Sequence, residues 1–404
     1  MSDLGFVEKL LDGVGAEWLP LDDVTLPTSN IKWANTDRVY RYVDLTSVDR
    51  ETGTISEVKE ITADTAPSRA QKLVETDDLI FATTRPAQQR FCLITSEWSG
   101  AVASTGYCVL RPNQSKVLPG WIFHWIGSSQ FKAYVEEHQS GSAYPAISDG
   151  KVKAFEIPIP CPDDPEKSLA IQREIVRILD TFTELTAELT VALTAELAAR
   201  KKQYNHYRDQ LLTFDDDEAE WMALGNLTHI KTGQSVNKNM IANNPGQYPV
   251  INSGRDPLGF FGDWNTDDDP IGITSRGAGV GSVTWQEGRY FRGNLNYSVT
   301  IKSEDSMDVH YLYHILEQFQ PKLKGLCTFD GIPALNAVNL KKLSIPVPRL
   351  SEQKRIAAIL DKFDTLTTSL SEGLPREIVL RKRQYEYYRD LLLSFPKPAE
   401  VAEA

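Results

Sequence analysis

The chain has 404 residues, hydrophobic and charged fractions of 41% and 24%, and a formal net charge of −12. That length exceeds one typical domain and allows at least two separate cores, while no apolar run approaches the ~18 residues of a membrane span, which excludes a helical membrane protein. The acidic balance is the wrong sign for a chain that grips phosphates unaided, because counterion release requires clustered Lys and Arg.

In chain order, Met1–Leu11 carries Asp3 and Glu8 and lacks the cationic, apolar and small-residue succession of an export signal, so a cytoplasmic location is expected. Residues 1–157 read as a first α/β domain. It holds a β-rich run ending in a basic turn, DLIFATTRP (78–86), a second strand-like stretch, ASTGYCVLR (103–111), and an aromatic helical segment, WIFHWI (121–126). Residues 158–214 read as a long central helix. A second domain follows at 215–346 with the same skeleton: PIGITSRGAG (270–279), NLNYSVTIK (294–302) and YLYHIL (311–316). A distal helical region at 347–395 and a tail at 396–404 complete the chain.

The helical regions repeat. Residues 171–214 align without a gap on 352–395 at roughly half identity, and both copies end in RK[KR]QYxxYRDxLL[TS]F. Just upstream, PAISDGKVKAFEIPIP (145–160) matches PALNAVNLKKLSIPVP (333–348), and EWLPLDDVT (17–25) resembles EWMALGNLT (220–228). The order is therefore variable domain, helix, variable domain, helix, circularly organised, with the chain ends expected close together. Matching apolar offsets predict a coiled-coil seam: Ile175, Ile178, Phe182, Leu185, Leu189, Leu193 and Leu197, then Tyr204, Tyr207 and Leu211. The counterparts run from Ile356 through Tyr385 and Tyr388 to Leu392. Equivalent halves favour an antiparallel pair about a pseudo-twofold axis. Gly373 and Pro375 should kink or break the distal copy, whereas Thr194 and Ala195 interrupt nothing.

Several motifs have plain structural readings. Gly277-Ala278-Gly279-Val280-Gly281 is followed by the strand-like VTW and RYF, so it reads as a hairpin with Arg276 at its tip; a phosphate loop must open a helix. Asn243-Asn244-Pro245-Gly246 reads as a turn. No Walker, HExxH or GxSxG sequence occurs. His310 and His314 have the i,i+4 spacing of metal ligands, but His124 stands alone at the place equivalent to His314, which favours a packing role and no metal site. Cys92, Cys108, Cys161 and Cys327 are widely spaced, which argues against a zinc knuckle or disulfide framework. The acidic runs Asp163-Asp164 with Glu166, Asp215 to Glu218 and Asp267 to Asp269 read as solvated turns.

Arg69, Lys72, Arg85, Gln88, Gln89 and Arg90 form a candidate base-reading set in the first domain, since Arg suits guanine edges and Gln or Asn adenine edges. Arg276, Arg289, Arg292 and Asn294 play that part in the second, with Lys231 and Lys238 as phosphate candidates. Tyr204, Tyr207 and Arg208, repeated as Tyr385, Tyr388 and Arg389, form aromatic and cationic bands that suit two copies of one partner.

Over essentially its whole length the sequence resembles the specificity subunit of type I restriction-modification systems, especially the subfamily with TAEL-like tetrapeptides in its central helix. Here these are Thr186–Leu189, Thr190–Leu193 and Thr194–Leu197, which would tie domain spacing to helix length. The resemblance implies a non-catalytic chain with two related target-recognition domains separated by long antiparallel coiled-coil helices. It implies a bipartite double-stranded DNA target, two methyltransferase subunits bound through the helices and, beyond them, two restriction/translocase subunits. Those partners would use S-adenosylmethionine, ATP and magnesium, and this chain would bind no cofactor. Two rivals are a self-contained methyltransferase or nuclease with diverged motifs, separable by assaying the chain alone, and a coiled-coil scaffold without a DNA role, separable by footprinting.

Overall fold

The computed structural model describes residues 15–397 apart from 51, 216, 255, 330, 370 and 371. The first domain runs β1 (Ala16–Pro20), α1 (Leu21–Val24), β2 (Thr25–Leu26), β3 (Tyr40–Val43), β4 (Lys59–Ile61), β5 (Ala70–Leu73) and β6 (Leu79–Ala82). It continues with β7 (Phe91–Leu93), β8 (Val102–Ser104), β9 (Tyr107–Pro112), α2 (Pro119–Ile126), α3 (Ser129–His138), α4 (Asp149–Lys153) and β10 (Glu156–Pro160). The 47-residue helix α5 (Pro165–Leu211) follows without interruption.

The second domain comprises β11 (Glu220–Ala223), α6 (Leu224–Leu227), β12 (Thr228–Thr232), α7 (Lys238–Asn243), β13 (Pro245–Ile251), β14 (Phe260–Phe261), β15 (Ile271–Thr274) and β16 (Val283–Trp285). It continues with β17 (Phe291–Arg292), β18 (Asn296–Ile301), α8 (Val309–Gln318), α9 (Gln320–Gly325), β19 (Cys327–Thr328), β20 (Ala334–Leu335), α10 (Ala337–Lys341) and β21 (Ser344–Val347). The distal helical region is broken into α11 (Leu350–Thr368) and α12 (Gly373–Leu392).

The duplicated skeleton agrees strand for strand in one sheet and differs by a strand in the other. In the first domain the sheets are ordered β2-β9-β6-β7 and β4-β3-β8-β5, and in the second β12-β18-β15-β16 and β14-β13-β17. β3 with β8 and β13 with β17 are the parallel pairs. The apolar runs of β6 and β15 are buried at every position, as expected for strands covered on both faces. Within β15, Gly272 is required by packing: a Cβ there would lie 2.4 Å from the Asn296 side chain. The proline-rich ends pair only at ribbon edges, β1 with β10 and β11 with β21. Their carbonyls accept equivalent bonds, Trp121 Nε1 to Pro158 O at 3.0 Å and Tyr311 Oη to Pro346 O at 3.0 Å.

Two contact units divide the chain, Met1–Ala192 with Ile378–Ala404, and Leu193–Glu377. In the first, α5 runs antiparallel to α12, with Thr183 bonded to Tyr385 (3.0 Å) and Phe182 against Tyr388 (5.9 Å between rings). Trp121, Trp125, Ile175, Leu179 and Leu393 are fully buried in its core, each worth ~1.5–3 kcal/mol on the scale of side-chain transfer. Trp18 Nε1 donates to Pro396 O at 3.1 Å, so the first and last described segments lie together, as the circular order requires. In the second unit, α5 runs antiparallel to α11. Tyr207 stacks on Phe363 at 5.7 Å, and Leu212, Ile356 and Leu360 join Tyr311 and Ile315 in the core.

Two details depart from the sequence reading. Leu185 and Leu189 are 55% and 38% exposed, outside the seam expected for them. Residues at successive steps of four drift by ~40° per step, so such a row rotates away from a facing helix. The break before α12 falls at Gly373, whose φ of +76° and lack of a Cβ let it sit against the carbonyls of Thr365 and Leu366. Pro375 then occupies the first turn of α12, where its missing N–H costs little.

Candidate nucleic-acid interface

In the first domain, consecutive backbone hydrogen bonds gather four segments at the end of β6. Thr105 N donates to Arg69 O (2.7 Å), Thr83 N to Gly106 O (2.8 Å), Ile147 N to Thr83 O (2.9 Å) and Arg85 N to Pro145 O (2.7 Å). Arg69, Arg85 and Gln88 are exposed on this end. Arg85 takes a left-handed conformation (φ +51°) and its guanidinium lies 5.3 Å from the Tyr144 ring. Gln89 is also left-handed (φ +53°) and half-buried. Lys72 and Arg90 are less available. Lys72 ion-pairs with Asp149 and donates to Tyr107 O (2.6 Å), and Arg90 donates to the Leu45 carbonyl.

The second domain repeats the arrangement with one offset. Ser275 N donates to Leu295 O (2.8 Å), Leu335 N to Ser275 O (2.8 Å) and Gly277 N to Pro333 O (2.9 Å), so Gly277 (φ +96°) occupies the place of Arg85, and Arg276 that of Thr84. β15 pairs antiparallel with β16, which confirms the glycine-rich segment as a hairpin connection. Arg276 and Asn294 are exposed at this end; Lys231 on β12 and Lys238 at the start of α7 are exposed too. Arg289 is exposed but ion-paired with Asp267 (3.3 Å) and set over Trp264 (4.7 Å).

Arg292 is not a surface residue. It is 3% exposed and donates to the carbonyls of Ile271 (3.1 Å), Tyr297 (3.2 Å) and Asp269 (2.6 Å), to Asn296 Oδ1 (2.6 Å) and to the Tyr290 hydroxyl. Its guanidinium ties β15, β17 and β18 together, and burial lowers its pKa against the pull of Tyr290 and Asp269. A base-reading role would require those bonds to be given up.

The helix bands divide likewise. Tyr204 and Arg389 are buried, at 8% and 9% exposure, and burial pushes the Tyr204 hydroxyl up to about 12. Arg208 and Arg389 lie over the rings of Tyr204 and Tyr385 (5.5 and 5.7 Å). Tyr207 remains 39% exposed, and Tyr388 is half-buried against Phe182. Gln88 and Gln89 share a cavity of about 440 Å³ with Tyr385 and Arg389.

Three pairs of residues were not singled out by sequence. Buried Gln172 accepts from Leu118 N (2.9 Å) and donates to Lys116 O (3.0 Å), while buried Gln353 accepts from Asp308 N (2.9 Å) and donates to Ser306 O (3.1 Å). Asp180 and Asp361 bond His124 (2.8 Å) and His314 (2.7 Å), which bears out the packing role of these histidines. Both were legible as polar identities at matching positions of the helix repeat. Tyr144 and Ile332, at equivalent hairpin tips, carried no such signal because they differ in type. Among the described residues no group of three or more His, Cys, Asp or Glu side chains is placed to hold a metal, and no helix is long and apolar enough to cross a membrane.

Residues 24–199 and 217–380 each match the family described as type I restriction modification DNA specificity domain. The chain is 36% identical over 429 residues to the Escherichia coli type I restriction enzyme EcoR124I/EcoR124II specificity subunit, covering 100% of both chains. It is 34% identical to the Escherichia coli EcoprrI specificity subunit, covering 92% of this chain and 93% of that one. Among solved structures, the HsdS subunit from Thermoanaerobacter tengcongensis is similar at 25% identity and a TM-score of 0.58, covering 94% of this chain and 96% of that one. A chain from a type I R-M system solved for its complex assembly and conformational transition reaches a TM-score of 0.70 at 25% identity, covering 94% and 97%.

Proposed function

Because the chain belongs to the family of type I restriction-modification DNA specificity subunits, which recognise sequence without catalysing the reaction, we propose that each of its two domains reads one half of a bipartite double-stranded DNA target. The observation that carries this reading is the contrast within each repeat. Three backbone bonds at the ends of β6 and β15 repeat between the domains, while the exposed polar side chains differ: Arg69, Arg85 and Gln88 in one, Arg276, Asn294, Lys231 and Lys238 in the other. One frame with two sets of polar heads, some meeting base edges and others the flanking phosphates, suits two different base sequences.

The net charge of −12 limits how firmly the chain holds phosphates alone. Two methyltransferase subunits, bound through the helices, supply further phosphate contacts in this reading, and restriction/translocase subunits join beyond them. S-adenosylmethionine, ATP and magnesium belong to those partners. Exposed Leu185, Val191, Tyr207 and Tyr387 offer the helices apolar contacts to give. Methylome sequencing of cells expressing this chain with its methyltransferase tests the reading. A bipartite methylated motif is expected, and replacing residues 20–155 by a relative's equivalent should change one half of it. A change in both halves, or in neither, would refute the modular assignment.

A further inference from the structure

Each domain carries a small hairpin beside its candidate reading loop, and the two hairpins match in register. Ser140 and Ala146 exchange both backbone hydrogen bonds (2.9 Å each), closing a tip at 141–145, GSAYP. Thr328 pairs with Ala334, which brings Ile332 and Pro333 to the places of Tyr144 and Pro145. Both tips end in proline, and the residue before it is large, apolar and in water: Tyr144 is 72% exposed and Ile332 is 67% exposed. A single exposed hydrophobic residue needs no explanation. The same placement in two domains whose tips have otherwise diverged does.

The setting limits what could cover these side chains. Proline holds the preceding residue extended, so little conformational freedom is lost when it is gripped. Backbone bonds from Arg85 to Pro145 (2.7 Å) and from Gly277 to Pro333 (2.9 Å) fasten each tip to a loop carrying an exposed arginine, Arg85 or Arg276. The Arg85 guanidinium stands 5.3 Å from the Tyr144 ring. At Tyr144 the result is an apolar prong flanked by a cation, which matches a surface that is flat and apolar within and anionic at its rim, and Ile332 holds the equivalent place. A stacked base step between phosphates is such a surface, and apolar wedges between base pairs deform the duplex and make recognition depend on its deformability.

We propose that Tyr144 and Ile332 are wedge residues that insert between adjacent base pairs, one in each half-site, while Arg85 and Arg276 hold the neighbouring phosphates. The proposal rests on the DNA-reading function above and adds the residues and the mode by which the duplex is deformed. The test uses the full chain assembled with its methyltransferase and duplexes of the methylome-defined site, with 2-aminopurine placed in turn at each adenine other than the methylated one. Fluorescence should rise at a step in one half-site and be lost with Tyr144→Ala, and rise at a step in the other and be lost with Ile332→Ala. Tyr144→Ala should bind its site about tenfold more weakly, in the range of base–aromatic stacking, and Ile332→Ala should also bind more weakly than the parent. Tyr144→Phe should bind as the parent does, and salt dependence and assembly should not move. Parent-like affinity and fluorescence in Tyr144→Ala and Ile332→Ala would overturn the wedge while leaving DNA reading intact. Loss of methyltransferase binding would overturn it in favour of a protein contact, and failure of the parent complex to bind its site would sink both readings.

Discussion

His124 Nε2 lies 2.8 Å from Asp180 Oδ1, joining a buried ring on α2 to a carboxylate on α5 whose other side meets water. The second unit repeats the bond between His314 and Asp361 at 2.7 Å, with His310 3.1 Å from the other oxygen. Each pair locks the aromatic helix of a domain onto its spacer helix. Asp180→Ala should therefore destabilise the first unit by ~1–3 kcal/mol, the cost of leaving a buried polar group unpaired, measured by denaturant unfolding. An unchanged midpoint would show that water replaces the carboxylate.

The second pair adds a dependence on pH. Burial alone would raise the Asp361 carboxyl, but the hydrogen bond from His314 and the charge of His310 outweigh it and hold the group below the ordinary carboxylate range. A folded value below the unfolded one means that the stabilisation is fully present above about pH 4 and is lost as the pH falls through the folded value. Thermal unfolding of the parent chain should thus weaken on acidification more steeply than that of Asp361→Asn. Equal slopes would refute the assignment.

Arg85 and Lys72 should separate in a mutational comparison. The left-handed backbone at Arg85 costs an L-residue ~1 kcal/mol, which glycine relieves while losing about as much in chain entropy. Arg85→Gly is expected to leave stability within ~0.5 kcal/mol and to lower the salt slope of DNA binding by about one unit, as for one lost phosphate contact. Lys72→Ala, which breaks the bonds to Asp149 and Tyr107, should cost stability first. A salt slope unmoved by Arg85→Gly would remove Arg85 from the interface.

Arg292→Lys should be nearly as harmful as Arg292→Ala. A single ammonium cannot replace a planar guanidinium that serves three carbonyls, an amide and a hydroxyl at once. A loss of ~2–5 kcal/mol is expected, read as faster proteolysis within residues 217–347. Parent-like resistance with altered base preference would instead return Arg292 to the reading surface.

Burial also sets the order of thiol reactivity. It pushes Cys92 and Cys108 up to about 12, so both stay protonated near neutrality, whereas the Cys327 thiol is only half-buried. Iodoacetamide followed by peptide mapping should label Cys327 first and the buried Cys92, Cys108 and Cys161 only on unfolding. Early labelling of Cys108 would contradict the packing of β9.

The gapless repeat of 171–214 on 352–395 and the matching IPIP and IPVP segments were enough to infer two similar domains alternating with helices, because duplicated spacing survives where side chains diverge. The helix break beside Gly373 and the glycine-rich hairpin of 277–281 were also legible, since backbone conformation there depends on local chemistry, whereas Pro375 sits in the first turn of α12 and breaks nothing. Tertiary packing alone decided which polar residues face water. Arg292 and Arg276 look alike in sequence, yet one binds five protein groups inside the sheet and the other is exposed, its backbone paired with Ala334. Packing alone likewise turned Leu185 outward and brought Tyr144 and Ile332 to equivalent tips. Composition and period report which side chains an element carries, but exposure is set by what other segments cover, and that depends on contacts between residues far apart in the chain.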